Sequence, residues 1–263
     1  MFTSLLTING YTIQSNFVFY WVLIFLSYFF AGLILYFLGR KRNFPAKELI
    51  SFILIVSIFG FIGARLCYIL LNPNIYFSQP IKILMFWQGG FTSFGGIILG
   101  IITGLLYLKF GLKKNTEEIK KWLDIGMLAF LFGHGIGRIG CFLEGCCYGK
   151  TTASLFGVIF PSLNDGIYRH PTQLYESFGY FLTYFLLLAQ SNRKNILNGS
   201  IFGWGLFFHE LVRFIVEFFR ENTLYFLQLP HLTLSSAQLV DIILMVMSLI
   251  FLHYFVYSKN QNL

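Results

Sequence analysis

Long apolar runs separated by short polar connections fill most of this 263-residue chain. A helix needs about 20 residues to cross the hydrocarbon layer, where only helices and closed barrels satisfy every backbone polar group. The runs have that length, so the pattern predicts an all-α polytopic membrane protein, a seven-transmembrane-helix bundle. The predicted spans are residues 17–38, 49–71, 94–112, 122–142, 173–190, 200–219 and 236–257.

Composition supports the membrane interpretation. The chain is 56% hydrophobic and 11% charged, whereas a soluble domain has about 25% charged residues. Its length would suit two soluble domains, but apolar runs occur from end to end with no evident linker or low-complexity tract. We therefore predict a single transmembrane domain over residues 1–263.

The basic residues lie in short clusters between the apolar runs rather than in one stripe. The net charge of +8 therefore indicates membrane orientation, and we expect no nucleic-acid partner. Because no Lys or Arg precedes Arg40, the first run lacks the basic region of a signal peptide and is expected to remain. One side of the membrane receives Arg40, Lys41, Arg42, Lys47, Lys113, Lys114, Lys120, Lys121, Arg193, Lys194 and Lys259, and the other only Lys82, Lys150, Arg169 and Arg220. The positive-inside rule then places the N-terminus outside and the C-terminus in the cytoplasm.

Charged residues within the spans gather toward their outer ends. Each such charge costs about 2.5–3.5 kcal/mol on insertion scales, so these positions indicate function or specific pairing. They are Arg65, Arg138, Glu176, Arg213, Glu217 and Arg220. The spacing of Arg213, Glu217 and Arg220 predicts one shared helical face. The sequence therefore places polar machinery in the outer leaflet.

This charge set has two explanations. One is an ion-pair network that fixes the bundle. The other is an anion site, favoured because the arginines outnumber the carboxylates and a guanidinium binds phosphate bidentately. At this depth the available anion is a phospholipid headgroup. A transport path would instead place carboxylates or histidines along both halves of the membrane.

Two glycine-rich stretches flank the charges. WQGGFTSFGG, residues 87–96, allows the backbone to approach a ligand or another helix. In GHGIGRIG, the spacing of Gly133 and Gly137 is typical of helix packing.

The cysteines do not have a zinc-site spacing, because Cys141, Cys146 and Cys147 form C-x₄-C-C with a distant Cys67. We predict no metal. On the outer side Cys141 can form a disulfide with Cys146 or Cys147, so a membrane thiol–disulfide oxidoreductase is one alternative function. A C-x-x-C motif is missing, and we favour a structural role for these residues. A non-catalytic lipid-binding or transport protein is the other alternative.

Five segments, taken together, resemble the phosphatidylglycerol–prolipoprotein diacylglyceryl transferases of bacterial inner membranes. They are GARLCYIL (63–70), WQGGFTSFGG (87–96), GRIGCFLEGCCYG (137–149), RHPTQLYE (169–176) and RFIVEFFRE (213–221). The resemblance implies a multi-pass inner-membrane enzyme that uses no cofactor. Its partners would be phosphatidylglycerol and preprolipoprotein signal peptides, with the diacylglyceryl group passing to the lipobox cysteine thiol.

The resemblance also implies roles for individual residues. Arg138 would bind the lipid phosphate, Arg213 and Glu217 would line the reacting centre, and Tyr20 would match a tyrosine of the first helix; these four are the expected catalytic residues. Further substrate-binding residues would be Arg65, Gly95, Gly96, Glu176, Arg220 and His170.

The sequence departs from the family pattern at three positions. Phe94 stands where well-known members carry a histidine, Cys141 replaces an asparagine, and Cys146 replaces a glutamate. Glu144, two residues earlier than Cys146, offers a carboxylate at a displaced position. Because Phe94 cannot accept a proton, the proton acceptor is open. His134, one turn before Arg138, is either a packed hydrogen-bonding residue or a substitute base.

Overall fold

A computed structural model describes most of the chain. It covers residues 6–8, 11–13, 15–160, 163–193, 196–221, 225–229 and 232–257, with side chains left undescribed at 6–20, 88 and 225–233. Lys194 and Lys259, used above for orientation, lie outside the described residues. The described chain is mainly helical, as the apolar runs predict.

The chain divides into two compact units, residues 1–35 with 120–263, and residues 36–119. The first helix, α1 (Ser15–Lys41), and the fifth, α5 (Thr116–Glu144), belong mostly to the first unit. The smaller unit contains α2 (Ala46–Leu71), α3 (Pro73–Ser78), 3₁₀ turns at Pro80–Ile83 and Phe86–Gln88, and α4 (Ser93–Leu106) with a π-helical extension, Tyr107–Gly111.

The larger unit adds three long helices and three short antiparallel strand pairs. The helices are α6 (Thr172–Ser191), α7 (Ser200–Glu217) and α8 (Ser236–Phe251), the last extended by a π-helical segment, Leu252–Tyr257. The strand pairs are β1 (Leu6–Ile8) with β2 (Tyr11–Ile13), β3 (Val158–Ile159) with β4 (Tyr168–Arg169), and β5 (Tyr225–Leu229) with β6 (Leu232–Ser235).

In the described part of the chain, a long helix lies over each of the seven predicted spans. Five segments are long and apolar enough to cross a membrane: Trp21–Lys41, Ala46–Leu71, Ser93–Gly111, Thr116–Glu144 and Ser236–Tyr257. The helices α6 and α7 are not among them. Both carry polar side chains that lower their apolar character, as Gln173 and Glu176 do on α6 and Glu210 and Arg213 on α7.

The outward faces of the helices are apolar, as a lipid environment requires. On α2, one ridge at four-residue spacing is between 46% and 70% exposed. It consists of Leu54, Ile58, Ile62, Leu66 and Leu70. Such a surface would be an aggregation liability in water, whereas hydrocarbon solvates it.

Helices of the larger unit are joined by hydrogen bonds between polar side chains and backbone groups. Ser27 on α1 donates to the carbonyl of Gly133 on α5 at 2.7 Å, so the predicted packing role of Gly133 is confirmed. Asp124 on α5 accepts from the backbone N–H groups of Gly199 and Phe202, both at 2.9 Å. This carboxylate caps the positive end of α7, which explains its burial.

In the smaller unit, glycines bring α2 and α4 into backbone contact. A Cβ atom at Gly63 would lie 2.5 Å from the carbonyl oxygen of Gly95 and 2.6 Å from Cβ of Leu99. A Cβ atom at Gly60, on the same face of α2, would lie 3.5 Å from the carbonyl oxygen of Gly96. Only the first position excludes a side chain.

We expect Gly63→Ala to lower the thermal midpoint of unfolding in detergent, because the added methyl overpacks the contact at a cost of about 1–3 kcal/mol. Gly60→Ala is the matched control and should leave the midpoint near that of the wild type. Circular dichroism of the purified variants measures both. Equal midpoints for the two variants would contradict the packing described for α2 and α4.

Candidate active site

Three of the sequence motifs meet in the larger unit, at the end of α5, the start of α6 and the end of α7. The backbone N–H of Gly149 donates to His170 at 2.8 Å, and that of His170 donates to Lys150 at 3.0 Å. The N–H of Lys150 donates to Phe219 at 2.7 Å. Backbone hydrogen bonds therefore connect residues 149–150 to both residue 170 and residue 219.

Gly149 makes this close approach possible. A Cβ atom there would lie 2.7 Å from Cβ of His170 and 2.8 Å from Cγ2 of Thr172, and would also collide with the carbonyl oxygen of Phe219. Any larger residue at position 149 would therefore clash with these neighbours.

The first turn of α6 holds the cysteine-containing loop. Thr172 donates through Oγ1 to the carbonyl of Cys147 at 2.8 Å, and Gln173 donates through Nε2 to the carbonyl of Cys146. Both donors are about 1% exposed. The segment PTQ therefore fixes the loop that follows α5.

Arg138, on α5, forms an ion pair through Nε with Glu176, one turn further along α6. Both side chains are buried, with Arg138 9% and Glu176 2% exposed. Among the described residues, the Nη1 and Nη2 groups of Arg138 have no hydrogen-bond partner. Its donor fork is therefore oriented by a carboxylate and still available to a ligand.

Arg213 and Glu217, predicted to act together, have different partners. Nε of Arg213 lies 3.3 Å from Oδ1 of Asp241 on α8, and Oε2 of Glu217 lies 3.6 Å from Nη1 of Arg220. The prediction that Arg220 shares their helical face is wrong, because α7 ends at Glu217 and the backbone of Arg220 pairs with Gly149. The predicted excess of arginines over carboxylates is smaller than expected, because Asp241 adds a third carboxylate and only Arg65 of the predicted set bonds to carbonyls instead.

Tyr180 lies among these groups. Its electrostatic neighbours include Arg138, Arg213, Glu176 and Glu210. The side chain is fully buried, and its hydroxyl has no hydrogen-bond partner among the described residues. A buried hydroxyl without a partner costs free energy, so the stability of the bundle does not explain this group.

His170 lies at the periphery of the same structure. Its Nδ1 is 3.1 Å from the Tyr175 hydroxyl, and its ring packs edge-on against Phe219. Its neighbour Arg169 pairs with Asp165 at 2.7 Å and Glu221 at 3.0 Å. A backbone hydrogen bond from Ile167, together with Arg169, lowers the pKa of Asp165. These contacts make the RHP segment a structural brace, and they leave the predicted substrate contact of His170 untested.

Arg65 occupies the smaller unit, where it organises the segment between α2 and α4. It donates to the carbonyls of Ile83 at 3.3 Å and Gly90 at 3.0 Å. It also donates to the carbonyls of Lys82, Met85 and Gly89, and its guanidinium lies over the ring of Tyr76 at 5.3 Å. Five carbonyls thus accept from one buried guanidinium, which shapes residues 82–90.

Gly95 and Gly96 belong to the helix contact of the same unit. A Cβ atom at Gly95 would collide with Gly63 and Cys67, and one at Gly96 would lie 3.0 Å from the carbonyl oxygen of Gly60. Of the two predicted uses of these glycines, the structure shows approach to another helix. Tyr20 lies on α1, but its side chain is outside the described residues.

Comparison with known proteins identifies this arrangement. A family model described as prolipoprotein diacylglyceryl transferase matches residues 8–254. The phosphatidylglycerol–prolipoprotein diacylglyceryl transferase of Clostridium tetani is 37% identical over 187 residues, covering 70% of this chain and 73% of that protein. The protein of the same name from Rickettsia africae is 38% identical over 208 residues, covering 75% of each chain. The chain belongs to the prolipoprotein diacylglyceryl transferase family.

The diacylglyceryl transferase family predicted from the motifs is thus confirmed, whereas neither alternative function gains support from the comparisons. The structure also places two of the residues that concern the departures from the family pattern, Phe94 and Glu144. Phe94 is 63% exposed at the start of α4, and Glu144 ends α5 with one carboxylate oxygen that accepts no hydrogen bond from a described residue.

Sequence reasoning missed two polar residues of this diacylglyceryl transferase. His209 and Glu210 are each 5% exposed on α7. His209 lies one turn before Arg213, and Glu210 lies two turns before Glu217. Adjacent histidine and glutamate in a predicted span is an unusual pattern, and its cost in hydrocarbon was the available signal.

The four cysteines of this diacylglyceryl transferase are free thiols. Cys141, Cys146 and Cys147 lie together, and Sγ of Cys146 is 3.6 Å from the carbonyl oxygen of Cys141. No group of three or more histidine, cysteine or acidic residues within the described ranges has the arrangement of a metal site. The loop is instead held by the backbone and by α6.

We expect the triple variant Cys141→Ser, Cys146→Ser, Cys147→Ser to retain most transferase activity, because α6 holds the loop through its backbone carbonyls. The measurement is lipidation of a lipoprotein precursor, with membrane insertion and thermal stability as controls. Complete loss of lipidation in a stable, inserted variant would support thiol chemistry instead.

Proposed function

We propose that this protein transfers the diacylglyceryl group of phosphatidylglycerol to the lipobox cysteine thiol of preprolipoproteins. Family membership supports the reaction class, and the available Nη1 and Nη2 groups of Arg138 support the lipid site. The proposed location is the outer leaflet of the bacterial cytoplasmic membrane. The reaction requires no cofactor, since both reacting groups belong to the substrates.

The chemistry is a displacement at the glyceryl carbon bonded to the phosphate. The thiol sulfur forms a bond to that carbon, the carbon–oxygen bond to phosphate breaks, and its electron pair leaves with glycerol phosphate. Negative charge therefore develops on the phosphate oxygens in the transition state. Fixed guanidinium groups that are already desolvated stabilise this charge more strongly than water does.

Arg138 is the proposed phosphate ligand. Glu176 holds its Nε, so the Nη groups form a planar fork that matches two phosphate oxygens. Arg213 is the second cation of this set, oriented by Asp241 and electrostatically coupled to Arg138. Tyr180 places a buried hydroxyl beside both arginines.

The other predicted residues receive supporting roles. Glu217 and Arg220 close the end of α7 against the loop at Gly149, and His170 braces the same loop. Arg65 shapes the segment before α4 through its five carbonyl contacts, and Gly95 and Gly96 join α4 to α2. Tyr20 is included because it matches the family motif.

The proposed enzyme is one transmembrane domain with seven spans, its N-terminus outside and its C-terminus in the cytoplasm. The family match from residue 8 to residue 254 includes both compact units, which supports a single functional domain. The bias of lysine and arginine toward alternate connections supports the orientation. Placing α6 and α7 in the membrane explains why their charged residues have partners, Glu176 with Arg138 and Arg213 with Asp241.

In cells depleted of their own transferase, we expect this chain to add the mass of one diacylglyceryl group to a lipoprotein precursor. Arg138→Lys should reduce that modification by about 10²-fold or more, because lysine keeps the charge and loses the fork. Arg193→Lys, in an exposed connection, is the matched control and should modify normally. Mass spectrometry of the precursor gives the result.

Two outcomes would contradict different parts of the proposal. An inserted wild-type protein that adds no mass would remove the function. Normal modification by Arg138→Lys would remove the phosphate fork while leaving the function in place.

A further inference from the structure

A buried row of hydrogen-bonded side chains lies beside Arg138 and has no role in the function proposed above. Nδ1 of His134 is 3.0 Å from Nε2 of His209, and Nδ1 of His209 is 2.8 Å from Oε1 of Glu210. The three residues come from two helices, α5 and α7. Such groups are costly in a membrane interior, so their alignment calls for an explanation.

The hydrogen bonds assign the protons. A carboxylate oxygen of Glu210 only accepts, so Nδ1 of His209 carries a proton and its Nε2 is the acceptor in the neutral ring. His134 must then donate from Nδ1 to that acceptor. Its own Nε2 is left as a lone pair, and no described residue hydrogen-bonds to it.

Glu210, at the other end of the row, also has a partner. The carboxyl of Glu210 interacts with that of Asp241, which in turn lies 3.3 Å from Nε of Arg213. The row thus begins at an open nitrogen on His134 and ends at a site arginine. Glu210 is placed to stabilise positive charge on the histidine pair.

His134 is the end of the row that a substrate can approach. It is half-buried, whereas His209 is 5% exposed. It lies one helical turn from Arg138, and its ring stacks on Tyr180 with centroids 4.7 Å apart. The electrostatic neighbours of His134 include both Arg138 and Arg213.

We propose that His134 is the general base that accepts the acceptor thiol's proton on Nε2, with His209 and Glu210 as positioning residues. This inference rests on the proposed transferase function. A thiol is a poor nucleophile until it loses its proton, and a neutral imidazole within the site supplies the base.

The proton balance follows from the row. The thiol proton moves to Nε2 of His134, and the sulfur electron pair forms the new bond to carbon while the phosphate leaves with its own pair. The resulting imidazolium retains its Nδ1 proton or shares it with Nε2 of His209, and Glu210 offsets the charge. After glycerol phosphate departs, His134 returns the proton to solvent.

A purely structural role is the competing explanation, because the same rings stack between helices. His209 lies 4.6 Å from Tyr180 and 5.1 Å from Phe130, centroid to centroid. The two explanations differ in which nitrogen of His134 matters. Packing and the hydrogen bond to His209 need only Nδ1, whereas proton transfer needs Nε2.

The variant His134→Asn separates the two roles, because its amide nitrogen occupies the place of Nδ1 and nothing replaces the Nε2 base. Purified protein would be supplied with phosphatidylglycerol vesicles and a lipobox peptide. We expect the transfer rate to fall about 10²–10⁴-fold with lipid binding retained, and added imidazole to restore part of the rate in His134→Ala. His253→Asn, on an exposed histidine of the last helix, is the matched control and should transfer normally.

Transfer by His134→Asn at the wild-type rate would overturn the proposed base while leaving the transferase function intact. An inactive wild-type protein would instead remove the function and this inference with it.

Nitrogen-15 NMR of the wild-type protein provides a test that does not depend on a variant. We expect both His134 and His209 to be protonated at Nδ1, and Glu210→Gln to relax that tautomer and lower kcat with KM for the lipid unchanged. A wild-type His134 protonated at Nε2 would contradict the proposal.

Discussion

The ion pair between Arg138 and Glu176 is the interaction on which the site depends. A guanidinium within hydrocarbon is tolerated only when a partner compensates for lost water, and Glu176 provides that partner from the neighbouring helix. By taking Nε, the carboxylate also fixes the direction of the two remaining donor groups. One pair therefore both permits the buried charge and leaves two donor groups for the proposed phosphate.

The backbone around this pair is arranged to hold it. Glu176 keeps its place because the preceding turn, Thr172 and Gln173, binds the loop after α5, and that loop is joined through Gly149 to the end of α7. Arg213 and Asp241 extend the same pattern to α8. One ion pair between α5 and α6 and another between α7 and α8 thus compensate the buried charges and position the two arginines.

Much of this could be predicted from the sequence. Continuous apolar runs determine the helices, and the motifs around Arg138, His170 and Arg213 identified the family. The partner of each arginine could not be predicted, because Asp241 meets Arg213 only after α8 packs on α7. The helical position predicted for Arg220 was wrong because Phe218 and Phe219 continue the apolar pattern of the helix. In the structure α7 ends at Glu217, and the backbone of Arg220 pairs with the distant Gly149.

The glycines and the histidine row show the same limit. The sequence predicted either a ligand or a helix beside Gly95 and Gly96, and the helix contact became visible only through Gly63 and Gly60 on α2. His134 is unremarkable alone and becomes informative beside His209, 75 positions away in the chain. Contacts between distant segments, rather than local pattern, created the parts of the site that were missed.

An experimental structure with bound phosphatidylglycerol would test the central claim most directly, namely that Arg138 presents a carboxylate-oriented fork to the lipid phosphate. The expected result is two phosphate oxygens within roughly 2.7–3.2 Å of Nη1 and Nη2, with Nε still paired to Glu176. A phosphate bound elsewhere, with the Arg138 fork unoccupied, would contradict the account.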